Sequence, residues 1–160
     1  MELPKILKST TKIRFQDCDP FNHLNNASYF NYMINAREDH TIQNYDLDVY
    51  KHGKETGKSW VVSTHQIAYL RPAKVMETVV LESQLFDYGK KDLAVEIRMY
   101  NESKTEIKAV LWSSFVYFNI LKQTSDNHSE ELLSMFEKVV LPVEEQSFEN
   151  RIKSFRFSKK

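Results

Sequence analysis

The chain has 160 residues, which is the usual size of one domain, and its 22 basic residues balance 22 acidic residues. This net charge of zero excludes a dedicated nucleic-acid-binding protein, because such a protein needs a basic surplus that displaces counterions. One cysteine excludes an intrachain disulfide and favours a reducing compartment, and no apolar run is long enough to span a membrane, so we expect a cytoplasmic protein.

The first predicted elements are a strand, a polar loop and a long helix. Residues 11–15 (TKIRF) alternate apolar and charged side chains, which predicts a half-buried strand. From residue 27 to 44 the apolar residues recur at helical spacing, which predicts an amphipathic helix of about 17 residues. The stretch FQDCDPFNHLNNASYF concentrates polar side chains at the start of this helix. Residues 46–58 hold two of the three glycines, which predicts a loop.

Four further strands and a second helix follow. The helix is predicted over 127–140, and Pro142 ends it. One long helix followed by a run of strands predicts an α+β architecture, in which a curved antiparallel five-stranded sheet wraps the long helix. We expect a single domain over residues 1–142 and a C-terminal extension over 143–160. The four strands are predicted over 59–70, 77–88, 92–101 and 106–120.

Two motifs resemble the signature of a known enzyme family. Residues 17–37 (DCDPFNHLNNASYFNYMINAR) are similar to the Asp-x-Asp loop, the His-Val/Leu-Asn-Asn turn and the aromatic-rich helix of that family. Residues 67–83 (IAYLRPAKVMETVVLES) resemble its Tyr-x-Arg-Pro-Ala passage. The family is that of the hotdog-fold acyl-CoA thioesterases, in the 4-hydroxybenzoyl-CoA thioesterase-like group. The resemblance covers residues 10 to 120, and it implies a hotdog fold and hydrolysis of an acyl-CoA thioester to free acid and CoA.

Three positions depart from the family pattern. Asn22 replaces a usual glycine of the loop, and asparagine tolerates the left-handed backbone conformation that such a turn needs. Ile34 replaces an acid that is common on the helix, so any role of that acid is absent here. Asp92 stands where the family often has a serine near the CoA phosphates, and a carboxylate at this position would repel them.

The polar loop can supply what thioester hydrolysis requires, which is a base or nucleophile and a donor for the developing oxyanion. The resemblance implies that Asp19 either activates water or attacks the carbonyl carbon, and the sequence leaves both routes open. The family's oxyanion donor corresponds to the backbone N–H of Asn26, at the start of a helix where N–H groups are unpaired. His23 matches the family's histidine, which could orient water, bind substrate or brace the loop.

The neighbours of these residues are expected to be structural. Asp17 would face the same way as Asp19 on an extended chain, where it would raise the pKa of Asp19 or bond loop amides, and we favour the structural role. Cys18 lies between two carboxylates, which disfavour the thiolate that a nucleophile needs. Asn25 is expected to cap the helix.

Other residues are candidates for substrate contact. The acyl chain would lie against Tyr29, Phe30 and Met33, although each of these also suits a plain core position. Lys90 and Lys91 follow a glycine at a turn where the family has basic residues near the CoA phosphates, and a solvated hairpin tip explains them equally well. The isolated histidines show no His-Glu-x-x-His spacing, so we predict no catalytic metal and no cofactor.

Two other functions stay open. An acyl-carrier-protein thioesterase would suit the His-Leu-Asn-Asn turn, but Phe21 stands where that relative usually has asparagine, and that relative is commonly a tandem of two such domains. A non-catalytic acyl-binding domain is disfavoured by the presence of Asp19. Because a lone hotdog unit leaves a sheet edge unpaired, we expect a homodimer or a tetramer built as a dimer of dimers. Lys90 and Lys91 would then serve the partner's site.

Overall fold

The computed structural model describes residues 2–157, in which a curled antiparallel sheet holds one long helix. The strand order is β1-β3-β4-β5-β2, and β6 pairs with the end of β5. The predicted α+β architecture, with five long strands around a long helix, is confirmed. The strands are β1 (Leu7–Lys12), β2 (Lys58–Tyr69), β3 (Thr78–Tyr88), β4 (Asp92–Asn101), β5 (Ile107–Asn119) and β6 (Thr124–Ser125). The helices are α1 (Asn26–Tyr45), α2 (Val49–Thr56), α3 (Glu130–Val139) and α4 (Phe148–Phe157).

The core lies between α1 and the concave face of the sheet. On α1, Tyr29, Met33 and Ala36 are buried at helical spacing, and they belong to one apolar cluster with side chains of β3, β4 and β5. Val95 and Ile97 of β4 are buried in this cluster, as the alternation in the sequence predicts. Burial of these apolar surfaces is the main force that holds α1 in the sheet.

The convex face of the sheet carries a buried ion network. Glu96 and Arg98 of β4 lie there beside Glu82 of β3, and Arg98 makes ion pairs with both carboxylates. Arg151 of α4 donates two further hydrogen bonds to Glu96, each 2.7 Å long. Because an unpaired buried charge lowers the stability of a fold, the ion pairs of this network fasten α4 to the sheet.

The first strand differs from the prediction. The strand predicted over 11–15 is wrong in its bounds, because β1 already ends at Lys12 and Phe15–Asp17 form a 3-10 turn. Ile13 is fully buried, as the alternation indicated, but its N–H donates to the carbonyl of Glu77 in a loop. The alternating pattern therefore predicted the burial of Ile13 correctly, but Phe15, on the same predicted face, is 75% exposed because the 3-10 turn begins there.

The polar stretch predicted as a loop over 46–58 contains α2. Asp48 caps this helix, since its side chain accepts hydrogen bonds from the N–H groups of Tyr50 and Lys51. Gly57 ends the helix in the left-handed region, at a φ of 74°. The helix has no fully buried residue, so the apolar periodicity that reveals a helix in a sequence is weak here.

The predicted C-terminal extension contains α4, which covers part of the convex face. Residues 158–160 of that extension lie outside the described residues. α3 lies close to its prediction over 127–140, and Ser129 caps it by accepting a hydrogen bond from the N–H of Leu132.

Candidate functional site

The loop between β1 and α1 is anchored to the loop between β2 and β3. The N–H of Leu24 donates to the carbonyl of Ala73 at 2.7 Å, and the N–H of Val75 donates to the carbonyl of Asn22 at 2.9 Å. Asn22 has a φ of 65°, which is the left-handed conformation expected of the residue that replaces glycine. These bonds hold the loop around Asp19 in place.

The carboxylate of Asp19 is fixed on one side and free on the other. Its Oδ1 accepts hydrogen bonds from the N–H groups of Phe21, at 2.9 Å, and His23, at 3.1 Å. The backbone N–H of Asp19 also donates to the carbonyl of His23 at 2.8 Å. Among the described residues no donor bonds Oδ2, so this oxygen can accept a proton from water or attack a carbonyl carbon.

The start of α1 presents an unpaired N–H group. Asn25 caps the helix, because its Oδ1 accepts from the N–H of Ala27 at 3.0 Å, and this confirms its predicted role. The N–H of Ser28 donates to the carbonyl of Asn25. The N–H of Asn26 finds no acceptor within residues 2–157, since first-turn N–H groups have no partner inside a helix. It lies at the positive end of the helix dipole, which suits an oxyanion.

These groups line one cleft of about 200 Å³. Four residues predicted from the sequence form part of its wall: Asp19, His23, Asn26 and Tyr29. The hydroxyl oxygen of Tyr29 accepts a hydrogen bond from the backbone of Ala73 at 3.1 Å, which ties α1 to the loop that follows β2. The cleft therefore combines a free carboxylate oxygen and an unpaired amide on a rigid support.

Tyr69 and Arg71 also line the cleft, and they were not predicted as site residues. The hydroxyl of Tyr69 donates to the carbonyl of Asn26 at 3.1 Å, and its ring stands edge-on to Tyr29. Arg71 lies 4.0 Å from Glu106, and its side chain is 53% exposed, so a ligand in the cleft can reach its charge. The Tyr-x-Arg-Pro-Ala motif contains both residues and was the signal that could have found them.

Asp17 and Cys18 make structural contacts. The hydroxyl of Tyr32 donates to the carboxylate of Asp17 at 2.6 Å, in a groove between α1 and β1, so the prediction that Asp17 faces the same way as Asp19 is wrong. The 3-10 turn that ends at Asp17 is the reason, because the chain is not extended there. Burial and the two flanking carboxylates raise the pKa of the Cys18 thiol, which therefore stays protonated at neutral pH.

A family model described as the thioesterase-like superfamily matches residues 13–143. The chain belongs to this superfamily. The matched residues include the anchored loop, the whole of α1, the cleft and the sheet from β2 to β5, so the resemblance seen in the two motifs extends over most of the chain. Membership of the thioesterase-like superfamily supports thioester hydrolysis as the class of reaction. No curated protein sequence matches the chain significantly.

Solved structures of other proteins have the same hotdog fold as this chain. YbaW from Escherichia coli, described as a probable thioesterase, superposes with a TM-score of 0.72 at 24% identity over 84% of this chain and 99% of its own. Slr0204 from Synechocystis, a 1,4-dihydroxy-2-naphthoyl-CoA thioesterase, gives a TM-score of 0.75 at 8% identity over 86% and 99% of the two chains. These likenesses confirm the fold.

A larger relative of the same fold acts on a carrier-protein substrate. The 12:0-ACP thioesterase from Umbellularia californica superposes with a TM-score of 0.74 at 16% identity, over 86% of this chain. The match spans 51% of the Umbellularia enzyme, about half of its length.

In the part of the chain that the structure covers, no helix is both long and apolar enough to cross a membrane.

Two of the predicted acyl contacts lie outside the cleft. Met33 is fully buried in the core between α1 and the sheet. Phe30 is partly buried, and its ring centroid lies 4.7 Å from that of His65 on β2. Of the three aromatic and apolar residues predicted to contact the acyl chain, Tyr29 is therefore the one that lines the cleft.

Lys90 and Lys91 are exposed in the turn between β3 and β4. β3 begins beside the anchored loop and has 11 residues, so its two ends lie about 35 Å apart. Within one chain the structure therefore does not bring these lysines to Asp19. The turn itself is held by a hydrogen bond from the N–H of His128 to the carbonyl of Lys90, at 2.8 Å.

An apolar cavity of about 140 Å³ lies between the C-terminal half of α1, the sheet and α3. It reaches Leu93 near the start of β4, and so it lies towards the end of the sheet that carries Lys90 and Lys91. Most of its lining side chains are apolar. Arg37 is the one cation among the described residues that line it.

Proposed function

We propose that the protein is an acyl-CoA thioesterase in which Asp19 acts as general base or nucleophile and the N–H of Asn26 is the oxyanion donor. The observation that supports this most strongly is that the free Oδ2 of Asp19 and the unpaired N–H of Asn26 line the same cleft. A thioester carbonyl bound there would meet both groups, as hydrolysis requires. Membership of the thioesterase-like superfamily supports the same reaction class.

Two routes account for the chemistry. In the base route, Asp19 takes a proton from water while the water oxygen attacks the carbonyl carbon, the C–S bond breaks, and the CoA sulfur leaves with that proton. In the nucleophile route, an oxygen of Asp19 forms a mixed anhydride and releases CoA, and water then hydrolyses the anhydride. In both routes one water is consumed, and the Asn26 N–H stabilises the negative oxygen. His23 would orient the water.

We also propose that the active unit is a homodimer joined through the free edge of β2. Within the described residues β2 pairs with β5 on one side only, and Val61 and Val62 in its middle are each 46% exposed. Long unpaired edges promote aggregation unless another strand covers them. Antiparallel pairing of two such edges about a two-fold axis would turn Lys90 and Lys91 of one chain towards the cleft of the other.

The basic turn favours CoA over a carrier protein as the thiol carrier. Ammonium groups that approach the partner's cleft would bind the CoA phosphates, whereas Asp92 beside them would weaken that contact. An acyl-carrier-protein thioesterase is the second candidate, supported by the fold of the Umbellularia enzyme. A tetramer would be a dimer of the proposed dimers. The single cysteine suits the cytoplasm, where we place the enzyme.

The test is free-thiol release from a panel of acyl-CoA thioesters by the wild type, Asp19→Asn and Asp17→Asn. Asp19→Asn should lower kcat/KM about a hundredfold or more, because an amide can neither accept the proton nor attack the carbonyl. Asp17→Asn is the matched control, since its amide oxygen still accepts the Tyr32 hydrogen bond. It should stay within about threefold of the wild type.

Three other results would redirect the proposal. Full activity in Asp19→Asn contradicts its catalytic role and turns attention to His23. If thioesters of acyl carrier protein are hydrolysed and CoA thioesters are not, the substrate class changes to carrier-protein thioesters. If neither kind of thioester is hydrolysed, the protein is an acyl-binding domain without catalysis. In a single turnover in ¹⁸O water, label in the peptide that contains Asp19 would establish the nucleophile route, because water can label Asp19 only by attacking its carboxyl carbon in the anhydride.

A further inference from the structure

Arg37 is an unpaired cation in the wall of the apolar cavity. Its Nη1 donates to Ser83 Oγ at 3.0 Å, and none of the carboxylates that the structure describes lies within salt-bridge distance of the guanidinium group. Residues three and four positions away on a helix are its nearest neighbours on the same face. None of them is acidic: they are Met33, Ile34, His40 and Thr41.

Two other guanidinium groups that are buried or half-buried in the chain are paired with carboxylates. Arg98 pairs with Glu82 and Glu96, and Arg151 donates two hydrogen bonds to Glu96. Arg37 is half-buried, and a cation that is partly removed from water without a counter-charge lowers the stability of the fold. Burial lowers the pKa of Arg37 to about 10, so it remains charged at neutral pH. The charge of Arg37 is therefore held beside the cavity with no carboxylate paired to it among the described residues.

The rest of the cavity suits a short hydrocarbon or aromatic group. A dry cavity of about 150 Å³ holds benzene, so about six carbon atoms fit the 140 Å³ found here. Glu38 also lines the cavity, but its carboxylate accepts a hydrogen bond from the hydroxyl of Tyr50 at 2.8 Å. The apolar walls come from the sheet and from α3 and include Leu85, Val95, Phe115, Met135 and Phe136.

We propose that this cavity binds the acyl group of the substrate and that Arg37 pairs with a carboxylate at the acyl end remote from the thioester. The substrate class is then a short acyl thioester of about six carbon atoms with a second carboxyl group, such as the half-thioester of a dicarboxylic acid. This inference rests on the proposed function and on the proposed dimer, which would turn the partner's cleft towards this end of the sheet.

The kinetic test compares adipoyl-CoA, as the mono-thioester, with hexanoyl-CoA, which has the same chain length and no carboxylate. The wild type should have the higher kcat/KM for adipoyl-CoA. In Arg37→Met that preference should fall about tenfold or more, because the charge pair is lost while an unbranched apolar side chain remains. Arg37→Lys should keep part of it, and Arg156→Met, at an exposed position of α4, should keep all of it.

A binding measurement tests the inference without catalysis. Monomethyl adipate carries one carboxylate and one ester, and dimethyl adipate is its neutral control; both are titrated against the full chain by NMR. We expect binding of the first that Arg37→Met abolishes and much weaker binding of the second. The melting temperature of Arg37→Met should equal or exceed that of the wild type, because an unpaired cation is removed. A large fall would indicate a structural role instead.

The outcomes separate the two proposals. If CoA esters are hydrolysed but the wild type prefers hexanoyl-CoA, or if Arg37→Met keeps the preference, the role of Arg37 is overturned and the thioesterase proposal stands. If no CoA ester is hydrolysed, the proposal of an acyl-CoA thioesterase fails. The titration then decides alone, because binding of monomethyl adipate that depends on Arg37 supports the carboxylate site, and absence of such binding overturns it.

Discussion

His40 is fully buried and bridges α1 to two strands. Its Nδ1 lies 2.8 Å from Ser83 Oγ on β3, and its Nε2 lies 2.8 Å from Ser9 Oγ on β1. Burial, together with the nearby charge of Arg37, lowers the pKa of His40 from 6.5 to about 4, and Asp39 offsets only part of this effect. The neutral ring therefore holds three elements together, and its protonation would place a second cation beside Arg37.

The pH dependence of stability follows from this shift. Because the folded pKa lies below the unfolded one, the unfolded chain takes up the proton first as the pH falls. The free energy of unfolding should therefore be fully retained above pH 6.5 and decrease towards pH 4, by up to about 3 kcal/mol from this group. His40→Gln does not titrate and should show a smaller decrease in urea unfolding between these pH values.

His65→Gln is the control for that measurement, since His65 is exposed on β2 and its ring contacts only Phe30 among the described rings. Its unfolding curve should keep the wild-type pH dependence. If the free energy of unfolding decreases equally with pH in His40→Gln and in the wild type, groups other than His40 cause the decrease.

The residues of the candidate site come to the cleft in two ways, some from one local loop and others through the tertiary structure. Asp19, His23 and Asn26 lie within eight positions of one loop, so a sequence motif places them together before any fold is known. Tyr69 ends β2 and Arg71 lies in the loop after it; the Tyr-x-Arg-Pro-Ala motif marks both residues, but their contact with this loop depends on tertiary bonds. Arg37 was missed because its significance lies in the absence of a partner.

At the level of secondary structure, α4 is held by the ion pairs of Arg151 together with the buried Ile152 and the ring of Phe148 against Trp112. Glu96 is fully buried, and this burial raises the pKa of its carboxyl group. The hydrogen bonds from Arg151 and Trp112 and the charge of Arg98 outweigh that effect, so the pKa of Glu96 lies below its usual range. Removing one partner of a buried ion pair leaves part of the other charge unsatisfied. The position of α4 and the state of Glu96 are therefore linked.

Replacing Arg151 should destabilise the whole chain. We expect Arg151→Met to lower the free energy of unfolding by about 2–3 kcal/mol, less than for a fully orphaned charge, because Arg98 and Trp112 still bond Glu96. Urea unfolding measures this change. Arg156→Met on the same helix is exposed and should change it by less than about 0.5 kcal/mol. A similar effect of both variants would mean that the ion network does not hold α4.

The elements that the sequence predicted well share a strong periodicity. α1 and the strands β3, β4 and β5 each bury apolar side chains of one cluster, and β2 adds partly buried ones such as Trp60 and Ile67, so the existence and order of these elements follow from the pattern. α2 depends instead on a cap at Asp48 and on Gly57, and its face is only half-buried. Its two glycines were read as loop signals, because the tertiary contacts that order the segment are invisible in the sequence.

For the whole molecule, the free edge of β2 determines the proposed assembly. Val62→Lys would place two like charges near each other where the edges pair about the two-fold axis. We expect the wild type to sediment as a dimer or a larger even oligomer and Val62→Lys to sediment as a monomer at micromolar concentration. Thioesterase activity should fall about tenfold or more in the monomer, because the basic turn no longer reaches the partner's cleft.

The opposite edge supplies the control. Ile6 precedes β1 and is 44% exposed, so Ile6→Lys adds the same charge at the other end of the strand order. It should leave both the sedimentation and the activity unchanged. A dimer that persists in Val62→Lys and dissociates in Ile6→Lys would assign the contact to β1.

β3, about 35 Å long, keeps the basic turn of a chain away from its own Asp19, and this separation has a genetic consequence. In the proposed dimer each site takes its carboxylate from one chain and its lysines from the other. A chain that lacks the carboxylate and a chain that lacks the lysines would each have low activity alone. When the two chains pair, one of the two sites receives both intact halves and the other receives neither. Two loss-of-function alleles in one cell would therefore complement each other and restore about a quarter of the activity, because about half of the dimers are mixed and each mixed dimer has one intact site of two.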